Sequence, residues 1–398
     1  MISFDNTEIA FRSKNKKDLQ RAYFLFKIIG APAIVKIGKW LTPFSLKMRL
    51  PIKGIIKSTI FKQFCGGENI QECDSTIENL DKYGIGTILD YSVEGKTKEE
   101  DFEHTTQIII QTIERAANDP RIPFAVFKIT GIAQHELLEL VSNQIRAQRY
   151  SNHFNAFSDV QLAGIEAIKD RIDRICKAAA TCNTRLFIDA EETWIQTAID
   201  QWCFEMMCKY NSKQCIVYNT VQMYRHDRLE FLHNELIRAR EAGIFYGVKL
   251  VRGAYMEKER ARAQSKGYPS PIQPNKASTD KDFDLALEFL INHKEVFCVC
   301  AGTHNEQSSL HMVNLMQLNS IASQNKDFYF AQLLGMSDHI SYNLSDAGYQ
   351  VAKYVPFGPV NEVLPYLLRR ADENTSVGGQ TSRELALIIK EKSRRKRL

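Results

Sequence analysis

The sequence predicts an α/β chain folded as a (β/α)8, TIM-like barrel, with an N-terminal helical arm and a long helical insertion after the second strand. Three observations predict it. Eight short runs of apolar, β-branched and aromatic residues recur between residues 86 and 354. Stretches with helical apolar periodicity alternate with them. No G-x-G-x-x-G opens any of those helices. Strands apolar on both faces and alternating with helices belong to a parallel sheet, and eight is the number that closes one. A doubly wound open sheet is the alternative, and the missing glycine signature counts against it.

Residues 1–80 read as the arm. Between residues 19 and 67 there is no acidic residue, against nine basic ones: Arg21, Lys27, Lys36, Lys39, Lys47, Arg49, Lys53, Lys57 and Lys62. Runs such as AYFLFKIIG and IVKIGKWL suit helices packed on the main domain. They also suit a segment lying on an anionic membrane surface, where each lysine adds about 1 kcal/mol. The most apolar window, residues 22–41, contains Lys27, Lys36, Lys39 and Pro32, so it does not cross a bilayer comfortably.

The barrel is expected over residues 81–377. Its strands read as 86–91, 124–129, 185–189, 215–222, 246–251, 296–301, 328–332 and 349–354; helices read at 158–179, 194–210, 228–242, 281–292 and 306–324. The connection at 131–183 is longer than one crossover needs and includes a helical stretch at 137–157. After the eighth strand, Pro356, Gly358 and Pro359 break the chain. A helix follows, with Val360, Val363, Leu364, Leu367 and Leu368 on one stripe. Residues 378–398 read as a basic C-terminal tail.

The apolar content of 44% and charged content of 25% are those of an ordinary globular protein. Nine cysteines without a C-x-x-C pair suit reduced thiols. No secretory h-region occurs at the start, and Asp5 and Glu8 argue against a transit peptide. The expected place is therefore the cytoplasm, with peripheral contact at the inner face of the cytoplasmic membrane through the basic arm; a mitochondrial matrix is the less favoured alternative. Nucleic-acid binding by the arm would leave the polar residues described next without a role.

Those residues stand at the C-terminal ends of the strands, where a barrel carries its chemistry. They are Asp90, Lys128, Asp189, Gln222, Lys249 with Arg252, Thr303-His304-Asn305, Gln332 and Tyr354. On the helix after the last strand, Arg369, Arg370 and Glu373 share a face away from the apolar stripe. They form either a solvated ion pair worth under about 1 kcal/mol or two braced guanidinium forks that receive a substrate carboxylate. Lys128, Lys249, Arg369 and Arg370 outnumber Asp189 and Glu373, so the interior favours an anionic ligand. No His, Asp and Glu stand at metal spacing, and no nucleophile elbow or P-loop occurs. An organic cofactor then supplies the reactivity. The rival chemistry is a Schiff-base aldolase using Lys128 or Lys249.

Six motifs in order, FIDAEE (187–192), YNTVQMY (218–224), VKLVRGAY (248–255), GTHNEQ (302–307), FAQLLGM (330–336) and YVPFG…LLRRADEN (354–374), resemble the proline dehydrogenase family. The likeness runs from about residue 80 to 377. It implies oxidation of L-proline to Δ1-pyrroline-5-carboxylate, with FAD as hydride acceptor and quinone as the onward electron acceptor; hydroxyproline oxidation is the neighbouring alternative. By position, Arg369, Arg370 and Lys128 would hold the proline carboxylate, braced by Glu373. Tyr354 and Leu334 would pack on the ring, and Asp189 would keep the charges in register. Gln222, Lys249, Val251, Gly253, Ala254, Tyr255, Thr303, His304, Asn305 and Gln332 would line FAD, with Lys276, Ser278 and Thr279 at its adenine end. Members fused to a second enzyme carry Arg where this chain has Lys249. The lysine and the long second connection are similar to the mitochondrial-type branch.

Overall fold

An extended segment is stable where its side chains pack on both faces, and eight such segments occur in the computed structural model, which describes residues 2–29, 53–93, 97–150, 157–376 and 380–397. Short helical turns aside, the elements in chain order begin with α1 (Lys16–Ile29), α2 (Asp74–Asp81), β1 (Ile85–Tyr91), α3 (Glu99–Ala117) and β2 (Phe124–Lys128). The insertion supplies α4 (His135–Tyr150) and α5 (Asp159–Thr181). Then come β3 (Arg185–Asp189), α6 (Thr193–Tyr210), β4 (Val217–Gln222), α7 (Arg228–Ala242), β5 (Tyr246–Val251), α8 (Met256–Lys266), α9 (Lys276–Asn292) and β6 (Phe297–Gly302). The chain finishes with α10 (Glu306–Leu318), β7 (Phe328–Leu333), α11 (Asp338–Asp346), β8 (Val351–Phe357), α12 (Leu364–Ser376) and α13 (Gln380–Arg394). The strands form a closed parallel barrel in sequence order, β1 to β8, as the alternation predicts.

Boundaries differ from expectation where local chemistry decides them. Strand β8 runs through Pro356 to Phe357, and the pairing with β1 continues over Asp90↔Pro356 and Tyr91↔Phe357. The proline's carbonyl accepts from Gly66 N at 2.9 Å, so the N-terminal segment takes up the strand end that proline was expected to terminate. Helix α9 starts at Lys276 because the Asn275 side chain caps it, accepting from Ser278 N at 2.9 Å. Helix α10 ends at Leu318, just before Ser320 takes a left-handed φ of 54°. Helix α5 opens at Ser158 with a capping box to Gln161.

Contacts divide the chain into two units, Met1–Glu94 with Ala331–Leu398, and Gly95–Phe330. Within the second, a layer of aromatics fills the base of the strands. Phe124 and Phe187 stack at 4.3 Å, and Tyr218 meets both edge-on. Gly247 makes room for this layer, since a Cβ there would lie 2.4 Å from the Tyr218 ring. The insertion helix α4 is tied to α6: Ser142 Oγ donates to Ile195 O at 2.8 Å and accepts from Ala198 N at 3.0 Å. Residues 151–156 of the expected insertion lie outside the described residues.

Within the first unit, α1 buries Leu19, Ala22 and Phe26 against Leu387 and Ile388 of α13. Of the basic C-terminal residues, Lys390, Lys392 and Arg394 thus belong to a packed amphipathic helix. Phe24 and Ile28, on the other side of α1, are exposed. The basic residues Lys36, Lys39, Lys47 and Arg49 lie outside the described residues. No described helix is long and apolar enough to cross a membrane.

Candidate active site

Side chains alternate along a strand, so the polar residues at successive strand ends share one side only if their registers agree. They do agree in the second unit. Lys128 on β2 stands directly opposite Asp189 on β3. Lys249 on β5 pairs with Thr220 on β4, one inward step before Gln222. Above the aromatic layer, the Lys249 ammonium lies 5.2 Å from the centre of the Phe187 ring and forms a close ion pair with Asp189 Oδ1. Lys128 Nζ approaches Asp189 Oδ2 at 3.6 Å. Two ammonium groups therefore share one nearly buried carboxylate. Such a cluster holds its members rigidly, because stripping the anion would leave desolvated cations together. Both lysines are thus oriented toward the same carboxylate at the strand ends.

Gln222 is buried, and its Nε2 donates to Glu191 O at 3.1 Å. Its Oε1 is buried with no hydrogen-bond partner among the described residues. An acceptor left in that state is costly, and a ligand N–H aimed at it would remove the cost. Glu191, which the sequence marks only as part of FIDAEE, organises this corner. Its carboxyl accepts from Thr130 N at 2.9 Å and from Thr130 Oγ1, linking β3 to the turn after Lys128. Burial pushes its pKa up to about 7, against the two bonds from Thr130 that act the other way.

Beyond β5, Arg252 is the residue around which the next group is built. It donates to Asp280 Oδ1 at 2.6 Å, Thr303 Oγ1 at 2.6 Å and Ser308 Oγ at 2.9 Å, and it stacks on Phe283. The sequence marks it as a charge directly after a strand but gives it no role. Asp280 also takes the ammonium of Lys276. Burial raises Asp280's pKa, and the bonds from Lys276 and Arg252 more than offset that, leaving it below the usual carboxylate range. Lys276, Ser278 and Thr279 thus occupy the first turn of α9, joined to the β5 and β6 ends through Asp280 and Arg252. Asn305 caps α10, accepting from Gln307 N at 2.8 Å and Ser308 N at 3.1 Å. His304 is half-buried beside it. After Val251, Gly253 adopts φ 131° with Tyr224 packed where a Cβ would stand; Gly253 and Ala254 are exposed and Tyr255 half-buried.

The first unit carries the other expected residues. Tyr354 is buried on β8, and its carbonyl accepts from Leu334 N at 2.8 Å. Leu334 is half-buried in the turn after β7. Gln332, also buried, accepts from Ser341 Oγ at 2.8 Å. Helix α12 begins at Leu364, later than the apolar stripe suggests, with Val360 and Val363 buried in the segment before it. Arg370 is only 7% exposed and its guanidinium lies 5.1 Å from the Tyr366 ring centre. Arg369 is half-buried. The solvated-pair alternative does not fit a buried arginine. The side chain of Glu373, the expected brace, lies outside the described residues.

Comparison with known proteins places the chain among relatives. The family model described as proline dehydrogenase matches residues 73–383. A Dictyostelium discoideum protein named proline dehydrogenase 1, mitochondrial, is 34% identical, with 98% of this chain and 74% of that protein covered. A Xenopus laevis protein named hydroxyproline dehydrogenase is 30% identical, covering 99% of this chain and 90% of its own length. Among solved structures, proline utilization A from Bdellovibrio bacteriovorus superposes with a TM-score of 0.71 at 18% identity, over 93% of this chain and 38% of that one, which shows a common fold.

Proposed function

The chain belongs to the proline dehydrogenase family, and on that premise we propose that it oxidises L-proline to Δ1-pyrroline-5-carboxylate, the first step of proline catabolism, with FAD as cofactor and quinone as electron acceptor. The observation that carries this is the Lys128–Asp189–Lys249 cluster standing at the strand ends with the unsatisfied acceptor of Gln222 on the strand between.

FAD suits these residues. A flavin ring N–H would satisfy Gln222 Oε1, and Lys249 brings a fixed positive charge to the same strand ends. Thr303, Asn305 and Arg252 gather donors at the head of α10, chemistry that suits a diphosphate. Val251, Gly253, Ala254, Tyr255, His304 and Gln332 complete the proposed lining, and Lys276, Ser278 and Thr279 take the adenine end. When bound, FAD accepts the hydride that leaves proline C5.

The remaining work falls to side chains. Arg369 and Arg370 receive the substrate carboxylate as bidentate donors, with Lys128 as a third cation. Tyr354 and Leu334 pack on the pyrrolidine ring. Asp189 holds Lys128 and Lys249 in place. Holding the ring this way converts an encounter into a positioned reaction. The substrate amine is neutral when C5 gives up hydride, so the free amine is the form selected from solution.

Phe24 and Ile28 exposed on α1 beside Lys27 favour peripheral contact of the arm with an anionic membrane, where a quinone pool would be met. All nine cysteines are unpaired thiols, in keeping with a reducing compartment. The mitochondrial name of the Dictyostelium relative moves the balance from the expected cytoplasm toward the matrix. Hydroxyproline is the second substrate reading, prompted by the Xenopus relative; buried Tyr354 disfavours it, because its ring takes the room a 4-hydroxyl needs.

The test is the visible spectrum of the purified protein before and after anaerobic addition of proline. An oxidised-flavin band that bleaches supports the proposal. A colourless protein, or a band that proline leaves unchanged, rejects it.

A further inference from the structure

The turn between β7 and α11 is held against its own backbone preferences. Gly335 sits at φ 75° and Ser337, which has a side chain, at φ 50°. A Cβ on Gly335 would lie 2.1 Å from Gln63 O, so no other residue fits. Strained turns persist only where the surroundings over-determine them, and they gather at functional sites. Here four side chains from four different segments do the holding. Gln63 Nε2 donates to Gly335 O at 2.9 Å. Lys353, wholly buried on β8, donates to Leu333 O at 3.3 Å and to Met336 O, and pairs with Asp338 Oδ1 at 3.0 Å. Lys14, from the N-terminal segment, pairs with the other oxygen of Asp338 at 2.9 Å. Glu384 of α13, itself buried, accepts from Ser337 N.

The turn carries Leu334, whose N–H donates to Tyr354 O. Lys353 and Tyr354 are neighbours on β8, so their side chains leave opposite faces of the strand. Lys353 therefore stands directly behind Tyr354 and clasps the carbonyls on either side of Leu334. A buried lysine is a costly way to fill a strand position, since an apolar side chain of its size would serve packing as well or better. Conformational specificity is what the charge adds. With Lys14 and Lys353 beside it, Asp338 stays ionised despite burial, its carboxyl well below the usual range.

We propose that Lys353 is a positioning residue for substrate recognition, fixing Leu334 and Tyr354 as one rigid wall, and that Lys14 and Glu384 give the N-terminal segment and the C-terminal helix a hold on that wall. This rests on the assignment of Leu334 and Tyr354 to the proline ring under Proposed function.

The test compares the full-length flavin-loaded protein with Lys353→Met, which keeps the length and removes the charge. Expected are an unchanged flavin content and spectrum, a KM for proline raised about 10-fold or more with kcat within about 3-fold, and an altered preference between proline and hydroxyproline. A variant that melts earlier yet keeps the parent KM and preference makes Lys353 a scaffold residue only and overturns the proposal. Should Lys353→Met not fold, Lys14→Met and Glu384→Gln each remove one outer tie and leave Lys353 in place. Each is expected to raise KM about 3-fold without lowering flavin content, and unchanged KM in both overturns the proposal. Failure of the parent to be bleached by proline is a separate result, which removes the functional assignment before any variant is compared.

Discussion

Positive charge is fixed by different means at the ends of β2, β3 and β5 and on helix α12. At the strand ends, Lys128 and Lys249 share Asp189, so three strands must hold register for the cluster to exist. On α12, Arg370 is kept in place by burial and by the Tyr366 ring one turn away. The first device is part of the fold, and losing its anion should cost stability. The second belongs to one helix, and losing a guanidinium should cost binding while the fold survives. Stability and affinity are therefore expected to separate along this division.

The largest effect tests the strand ends. Asp189→Asn leaves two desolvated ammonium groups side by side and is expected to lower unfolding stability by about 3–5 kcal/mol. Denaturant unfolding measures this, and a loss comparable to a surface substitution would end the view of the cluster as part of the fold. Arg370→Met should raise KM for proline by two to three orders of magnitude, about 3–4 kcal/mol, with flavin content and melting temperature near those of the parent. Equal losses of flavin and affinity would erase the contrast.

A third variant sharpens the strand side through pH. Burial raises the Glu191 carboxyl to about 7 from its ordinary 4.5. The folded protein thus binds this proton more tightly than the unfolded chain does. The resulting stability is fully present below about pH 4.5 and is lost as pH rises through 7, an effect of about 3–4 kcal/mol. Glu191→Gln should flatten the melting temperature over that window relative to the parent; parallel profiles would show that the carboxyl does not titrate there. The smallest effect concerns the ring wall. Tyr354→Ser is expected to shift the ratio of kcat/KM values for hydroxyproline and proline about 10-fold, or about 1.4 kcal/mol, toward hydroxyproline. An unchanged ratio would take Tyr354 out of substrate choice.

Much of the barrel was legible because its signal is local. Strands β3 and β5 were bounded to the residue, since bulky apolar runs end there in a charge or a glycine. The meeting of Lys128, Asp189 and Lys249 is legible for the same reason: strand ends and alternation are both properties of short segments. What escaped depends on residues far apart in sequence. Pro356 reads as a break until Gly66 is known to take its carbonyl. Residues 378–398 read as a tail because their charge hides Leu387 and Ile388, whose partners lie in α1. Arg370 falls off the apolar stripe on a helical wheel, and only the packed Tyr366 face shows that it is buried. Nothing local in KYVPF distinguishes Lys353, whose partners Lys14 and Asp338 come from other segments.

The most direct measurement of the central claim is an anaerobic proline titration of the flavin band in the parent and in Arg370→Met, followed by absorbance. The parent should bleach with a saturating dependence on proline, and the variant, with equal flavin, should reach the same bleaching only at proline concentrations about 100-fold or more higher. Matching half-saturation in the two proteins would contradict it.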